Sequence, residues 1–137
     1  MDASGEQVKK TLLYTDERGF SRFREEWLAL PEGMPQTRLS QAFSARSVIF
    51  RQSPPGFRSD WHCTDSPQWT FILAGGMEIG LRDGSSRLFQ AGDWFFSGDT
   101  LPEGEVFDVK RHGHWSAQRG DAALVTLFVK AAADTFF

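Results

Sequence analysis

The stretch that decides the fold lies at residues 56–75 and reads GFRSDWHCTDSPQWTFILAG. It begins at a turn signal, Pro54-Pro55-Gly56, and ends at a second one, Gly75-Gly76. Between these ends the pattern predicts two strands, at residues 57–64 and 68–74, joined by a short turn. One of the three histidines of the chain lies in the first predicted strand, so this hairpin is also the first place to look for a functional site.

The same spacing of short strands and turns continues on both sides of the hairpin. Turn signals recur about every eight to twelve residues, and Asp83-Gly84 is a strong hairpin signal between two such strands. Residues 20–30 fit a helical face or a strand face, and we interpret them as a strand. The pattern predicts an all-β fold, an antiparallel sandwich or small barrel, whose interior can hold a small ligand.

Length and composition predict one compact domain. The chain has 137 residues, with 13 Phe and 5 Trp against a single Tyr. Aromatic residues favour strands and bury large apolar areas, so they fit a β-rich body of this size. We predict a flexible N-terminus at residues 1–10 and a single barrel domain at residues 11–137.

Charge and cysteine content exclude several classes of partner. The net charge is −3 and no basic block is present, which argues against nucleic acid and anionic membranes as partners. The apolar runs are too short for a transmembrane helix, and the N-terminus lacks the apolar stretch of a signal peptide. Cys63 is the only cysteine, so no internal disulfide can form. These features favour a cytoplasmic protein with a small-molecule ligand.

The alternation of side chains in the predicted hairpin gathers polar groups on one face. Residues two apart on a strand point to the same side, so Trp61 and Cys63 are expected to face away from the polar set. We interpret Cys63 as a small buried hydrophobe. The predicted pocket face comprises Asp60, His62 and Thr64 on the first strand and Gln68, Thr70 and Ile72 on the second.

The other two histidines form the segment His112-Gly113-His114. Their side chains are two residues apart, so both project from one face if the segment is extended. A His-X-His segment is a common way for a strand to present two nitrogens to one metal ion. A solvated loop is the alternative interpretation of the same three residues.

At this point the sequence resembles the cupin superfamily of small β-barrels. The first motif of that family is Gly, five residues, His-X-His, three or four residues, Glu, six residues and Gly. The spacing is matched without a gap by Gly56, His62, Thr64, Gln68 and Gly75. His62 stands at the first histidine, Thr64 stands at the second, and Gln68 stands at the glutamate.

The second cupin motif is less regular in this chain. Residues 83–93 resemble the hairpin and Gly-Asp turn that lead into it, after which the family supplies one more histidine. An ungapped count places Glu105 at that position, whereas a short insertion places His114 there. We favour His114, because residues 115–129 resemble the closing segment of the family. The resemblance covers about residues 40–130.

The resemblance implies a cupin-like jelly-roll β-barrel, an antiparallel double-stranded β-helix, that holds a divalent metal ion. Iron, manganese, zinc and nickel are the metals expected. The implied ligands are His62, Gln68 and His114, with His112 and Glu105 as alternates. Gln68 brings an oxygen but no charge, and the Thr64 hydroxyl is a poor ligand, so affinity for a hard cation is expected to be lower than in the regular motif.

Three functions follow as hypotheses. The first is a metal-dependent oxygenase or isomerase acting on a small organic substrate, with the ion as Lewis acid and Glu105 or Asp60 as general base. The second is a non-catalytic module that binds a small, anionic molecule without a tightly bound metal. The third is assembly, since cupins commonly pair through their sheets, and a homodimer is expected.

Overall fold

The computed structural model describes residues 7–132, and within them the chain forms eleven strands and no helix. The strands are β1 (Gln7–Thr15), β2 (Ser21–Ala29), β3 (Glu32–Met34), β4 (Thr37–Leu39), β5 (Ala45–Ser53), β6 (Gln68–Ala74), β7 (Gly76–Gly80), β8 (Ser86–Gln90), β9 (Trp94–Gly98), β10 (Trp115–Arg119) and β11 (Leu124–Ala131). Strands β3 and β4 pair only with each other. Strand β6 has the bounds that the sequence predicts, and β2 lies where the ambiguous segment was interpreted as a strand.

Two sheets face each other and define a jelly roll. One has the order β2-β1-β9-β6-β11-β5, and the other has the order β10-β7-β8. Residues 57–62 extend the second sheet through single bridges to residues 114–117. From β5 onward the chain passes repeatedly between the two sheets: β7 and β8 lie in the smaller sheet, β9 in the larger, β10 in the smaller and β11 in the larger. This connectivity is the eight-stranded jelly roll of cupins, and the predicted all-β fold is confirmed.

The N-terminal hairpin adds two strands to the edge of the larger sheet. All nine residues of β1 pair with β2, and Leu12–Tyr14 also pair in parallel with β9. The Asp16 side chain closes the turn by accepting hydrogen bonds from the backbone N–H groups of Arg18 and Phe20, each 2.9 Å long. Residues 7–10 therefore belong to a strand, and the prediction that they are flexible is wrong because β2 supplies a partner for each of them. Residues 1–6 lie outside the described residues.

The first half of the predicted functional hairpin is not a regular strand. Residues 57–62 form β-bridges to the second sheet only at Arg58, opposite Ala117, and at His62, opposite His114. Arg58 and His62 are four positions apart along the chain, whereas their partners are three positions apart. The segment 57–62 therefore contains one extra residue, which forms a bulge. A bulge shifts the side chains that follow it to the other face. The predicted alternation therefore fails between Arg58 and His62, and it does not apply at residues 63 and 64, which lie outside any strand.

The apolar core fills part of the space between the two sheets. Its buried members are Leu13, Ile72, Met77, Ile79, Leu81, Phe89, Phe95 and Leu124. A second buried group, with Trp69 and Phe96 at its centre, covers the outer face of the larger sheet. The inner faces of β6, β9 and β11 are apolar at one end of the sheet and polar toward the other. The apolar residues are Ile72, Phe95 and Leu124, and the neighbouring polar residues on the same strands are Thr70, Ser97 and Thr126. The interior is therefore divided into a packed half and a polar half.

The described part of the chain contains no helix long and apolar enough to cross a membrane.

Candidate functional site

A central cavity of about 360 Å³ lies between the sheets beside the apolar core. Its lining residues come from both layers of the jelly roll. They are Ile49, Arg51, His62, Cys63, Thr64, Asp65, Gln68, Thr70, Met77, Ile79, Phe95, Ser97, His114, Ser116, Phe128 and Lys130. A cavity of this size and mixed polarity suits one small organic molecule.

Most of the predicted site residues line this cavity. The structure brings together His62, Thr64, Gln68, Thr70 and His114. Thr64 lies beside β9, where its hydroxyl is 2.6 Å from the Ser97 hydroxyl. Five residues that the resemblance or the alternation singled out thus line one cavity, together with residues that neither pointed to, such as Arg51 and Lys130.

Two predicted pocket residues lie elsewhere. Ile72 is buried in the apolar core, two residues beyond Thr70 and past the end of the cavity. The side chain of Asp60 is exposed, because the bulge before His62 turns it outward. Only its backbone carbonyl takes part, by accepting a hydrogen bond from the His62 ring at 2.8 Å. Neither residue lines the cavity, and both assignments are corrected.

His62 and His114 form an adjacent pair on the smaller sheet. Their backbones exchange two hydrogen bonds, each 2.9 Å long, and their ring centroids are 4.7 Å apart. Burial lowers the pKa of His62 below its ordinary value, and the hydrogen bond from its Nδ1 to the Asp60 carbonyl only partly opposes this. His62 is therefore neutral at pH 7.

His114 is held by a buried carboxylate that the sequence analysis did not single out. Its Nδ1 lies 2.7 Å from Oδ2 of Asp99, a residue that is 1% exposed. The Asp99 carboxylate also accepts hydrogen bonds from the hydroxyls of Thr15, at 2.7 Å, and Ser21. An ionised carboxylate only accepts hydrogen bonds, so the proton between the two groups resides on Nδ1 of His114.

Both histidines therefore use Nδ1 as a donor, which leaves Nε2 as the basic nitrogen of each neutral ring. No group among residues 7–132 forms a hydrogen bond with Nε2 of either ring. Nε2 lies on the side of the ring away from the Nδ1 partner, and His114 is one of the residues that line the cavity. The site thus offers two basic nitrogens whose tautomers are fixed by their hydrogen-bond partners.

The alternate ligands His112 and Glu105 lie in a different place. They pair with each other, with Nε2 of His112 3.1 Å from Oε1 of Glu105. Nδ1 of His112 accepts a hydrogen bond from the backbone N–H of Asp108 at 2.9 Å. His112 is fully buried, and neither residue lines the cavity. The two side chains hold the loop between β9 and β10 in place and do not join His62.

Cys63 lines the cavity, contrary to the prediction that it faces away. Residues 63–67 lie outside any strand, so strand alternation does not set the direction of the Cys63 side chain. Burial, with a smaller contribution from the charge of Asp99, raises the pKa of the Cys63 thiol to about 11. The thiol is therefore protonated at neutral pH, and it is a poor nucleophile, as the sequence analysis expected.

Arg51 contributes the main positive charge of the cavity. Its guanidinium lies near two aromatic rings, 4.8 Å from the Phe128 centroid and 5.7 Å from the Phe57 centroid. Its Nε and Nη2 atoms are buried, and neither has a hydrogen-bond partner in the described part of the chain. Burial lowers the pKa of Arg51 from its ordinary value, which still leaves an arginine charged. Arg51 is therefore a desolvated cation with two hydrogen-bond donors that have no acceptor among residues 7–132.

Thr126 is a second buried group with an unused hydrogen bond. It faces Arg51 directly across the β5–β11 pair, so the two side chains point to the same side of the sheet. Thr126 is 0% exposed, and its hydroxyl has no partner among residues 7–132. Unsatisfied buried donors are uncommon in folded proteins, and of these two side chains only Arg51 lines the cavity.

The residues present do not fit the metal site that the resemblance implies. In the described part of the chain no three His, Cys, Asp or Glu side chains group closely enough to hold a metal ion. The Gln68 amide oxygen accepts a hydrogen bond from Lys130 at 2.9 Å. A divalent cation beside His62 and His114 would also share the cavity with Arg51 and Lys130, whose charges repel it.

Arg51 and Asp99 were not predicted as site residues, because nothing in the sequence around them distinguishes them from ordinary strand and turn residues. Alternation pairs Arg51 with Ile49 and Val48 with Phe50, but it does not tell which pair faces inward. Asp99 follows Ser97-Gly98 and looks like an ordinary turn aspartate. Its role comes from Thr15 and Ser21, which are distant in sequence.

Comparisons with known proteins add little beyond the fold. No family model matches the sequence, and no curated protein matches it. A cupin-like protein from Thermotoga maritima is similar in structure, with 17% identity, coverage of 96% of this chain and 76% of that chain, and a TM-score of 0.45. The cupin domain of Cnp3 from Schizosaccharomyces pombe shows 14% identity, coverage of 93% and 84%, and a TM-score of 0.43. At these values neither protein bears on what this chain binds.

Proposed function

We propose that this cupin-type jelly roll binds a small organic anion, a carboxylate, in the central cavity. The observation that carries the proposal is the Arg51 guanidinium, whose buried Nε and Nη2 donors have no partner among residues 7–132. A carboxylate accepts two parallel hydrogen bonds from one guanidinium, which supplies the missing partners and the missing countercharge together.

The other lining groups suit the same class of ligand. Hydroxyl groups of Thr64, Thr70, Ser97 and Ser116 can donate hydrogen bonds to further oxygen atoms. Lys130 contributes less, since its ammonium already bonds Oδ1 of Asp65 at 2.6 Å. The apolar wall, with Met77, Ile79 and Phe95 among its members, can cover the carbon atoms of the ligand.

Thermal unfolding in the presence of small carboxylates tests this proposal. Acetate, pyruvate, 2-oxobutyrate and succinate are the probes, with pyruvamide as a neutral counterpart. A ligand at ten times its Kd adds about 1.4 kcal/mol, which corresponds to about 4 °C in Tm for a chain of this length. We expect at least one carboxylate to raise Tm by this amount and pyruvamide to leave it unchanged.

Matched arginine variants show where the anion binds. Arg51→Met is expected to remove the ligand-dependent rise in Tm. Arg46→Met, on the same strand but exposed and outside the cavity, is expected to keep it. Equal Tm shifts in both variants, or no shift with any carboxylate in the unmutated protein, would contradict the proposal.

Binding of a divalent metal is the competing hypothesis from the sequence. It is favoured by the basic Nε2 atoms of His62 and His114 and opposed by the nearby cations. Elemental analysis of the purified protein beside His62→Ala and His114→Ala decides between them. We expect substoichiometric iron, manganese, zinc and nickel in all three proteins. One equivalent of metal, lost in both variants, would support the metal hypothesis instead.

A further inference from the structure

We propose that the Asp99–His114 pair makes the cavity a catalytic site, at which Nε2 of His114 removes a proton from carbon in a bound 2-oxo acid. This inference rests on the proposed anion binding at Arg51 and names the substrate class of the same cavity. The pair has the two parts that a positioned general base needs, a basic nitrogen on the cavity wall and a group that fixes its orientation.

Among the basic side chains of residues 7–132, Asp99 forms a direct contact with His114 alone. No lysine or arginine among residues 7–132 forms an ion pair with it, and the contact to Nδ1 of His114 is 2.7 Å. The hydroxyls of Thr15 and Ser21 hold the carboxylate on its remaining sides. A buried carboxylate in this position favours the Nδ1–H tautomer and stabilises the imidazolium that forms when Nε2 takes up a proton. Asp99 is a positioning residue.

Arg51, the cation that would stabilise the negative charge of the reacting molecule, lies on the opposite wall of the cavity from His114. His114 directly precedes β10 of the smaller sheet, whereas Arg51 lies on β5 of the larger one. The two side chains line the same cavity between the sheets. A molecule whose carboxylate is bound at Arg51 would extend across the cavity toward His114. A base on one wall and an unpartnered cation on the other match the charges of an enolisation.

The proposed step balances without a redox partner or a metal ion. Nε2 of His114 takes a proton from the carbon next to the keto group, and the electron pair of the broken C–H bond forms a carbon–carbon double bond. The electron pair of the carbonyl moves onto its oxygen, and the enolate is stabilised by the guanidinium of Arg51. The His114 imidazolium exchanges its proton with solvent water, and transfer of a solvent-derived proton back to the same carbon completes an exchange cycle.

The 2-oxo acids fit this step because one molecule carries both required groups. The carboxylate is the anion that Arg51 would bind, and the adjacent keto group acidifies the neighbouring carbon. A simple carboxylate such as acetate lacks the keto group, so it is expected to bind without reacting.

Hydrogen–deuterium exchange of pyruvate and 2-oxobutyrate, followed by proton NMR in D₂O with EDTA present, tests the proposal. We expect the protein to accelerate loss of the C3 proton signal at least 100-fold over buffer. His114→Gln is expected to abolish the acceleration. Asp99→Asn is expected to lower kcat at least 10-fold with KM nearly unchanged, because it alters the tautomer of His114 and not the binding of the anion.

The outcomes separate this inference from the proposal on which it rests. Carboxylates that raise Tm without any accelerated exchange would overturn the catalytic role and leave anion binding intact. Exchange that survives in His114→Gln, or that EDTA abolishes, would also overturn it. Circular dichroism and the Tm shift with acetate show whether each variant is folded and binds, and Arg46→Met serves as the control with unchanged exchange.

Discussion

Arg51 is a buried cation whose cost to the folded protein is measurable without any ligand. Its unpartnered Nε and Nη2 lose their water on folding and gain no hydrogen bond within residues 7–132. Replacing one such group with an apolar side chain removes a desolvation cost of about 1–3 kcal/mol. We expect Arg51→Met to raise the free energy of unfolding by about 1 kcal/mol in urea titrations without ligand. A clear loss of stability would mean that the guanidinium has stabilising partners.

The burial of Lys10 makes the stability of the protein depend on pH. It is 1% exposed, and burial lowers its pKa to about 8, with Glu26 partly opposing the shift. The unfolded lysine has a pKa of about 10.4, so between pH 8 and 10.4 the unfolded state binds more protons and stability rises with pH. We expect Lys10→Met to stabilise the protein most below pH 8 and progressively less as the pH rises to 10. Urea unfolding at pH 7, 8, 9 and 10 measures this difference.

At the residue scale the sequence predicted what depends on local spacing. His62, Thr64 and Gln68 follow from a motif that fixes their separation along the chain, and His114 follows from the resemblance of the segment after it; all four line the cavity. Arg51, Asp99 and Thr126 were not found, because their importance depends on unsatisfied or shared hydrogen bonds that only the fold creates. Spacing in a sequence does not encode which buried donor lacks an acceptor.

At the element scale the segment 57–62 decides the geometry of the cavity. It contacts the smaller sheet at two bridges, and the second bridge depends on Gly113. A Cβ atom at Gly113 would lie 2.5 Å from the backbone oxygen of His62, and its φ of +86° is strained for any other residue. The pairing of His62 with His114 therefore requires glycine at position 113.

The Gly113→Ala variant tests this requirement. We expect a loss of about 3 kcal/mol in the free energy of unfolding, from backbone strain and from the clash with His62, together with loss of the carboxylate-dependent Tm shift. Gly120→Ala is the matched control, since Gly120 has a φ of +87° and open space around its Cβ position. It is expected to lose about 1 kcal/mol and to keep ligand binding. Equal effects of the two substitutions would show that the bridge is not required.

The elements themselves were largely predictable, because alternation and turn residues are local signals. Strand β6 follows from its apolar centre, and the Asp83-Gly84 turn was recognised by its residue pair. The failure at residues 57–64 has a specific cause. A one-residue bulge depends on how two segments pair, and these two segments are more than 50 positions apart in the sequence. The alternation within a single strand carries no information on that pairing.

At the scale of the whole molecule, assembly remains a prediction. Among the strands of residues 7–132, β5 lies at a sheet edge and pairs with β11 alone, and its residues Val48, Ile49 and Phe50 are 58%, 44% and 68% exposed. An exposed apolar edge of this kind tends to pair with another chain. We expect light scattering to give a mass of twice 15.5 kDa, and Phe50→Asp to shift it toward the monomer. A monomeric mass at high protein concentration would contradict the expected homodimer.

The hydroxyls that hold the Asp99 carboxylate come from far along the chain, and this sets an order of events during refolding. Thr15 and Ser21 are 84 and 78 residues away from Asp99. Contacts of such long separation form late, because closing the chain between them costs much entropy. The jelly roll can therefore collapse before the N-terminal hairpin docks and the carboxylate receives its donors. In stopped-flow refolding, recovery of carboxylate binding should follow the slowest phase and lag behind the burial of the tryptophans.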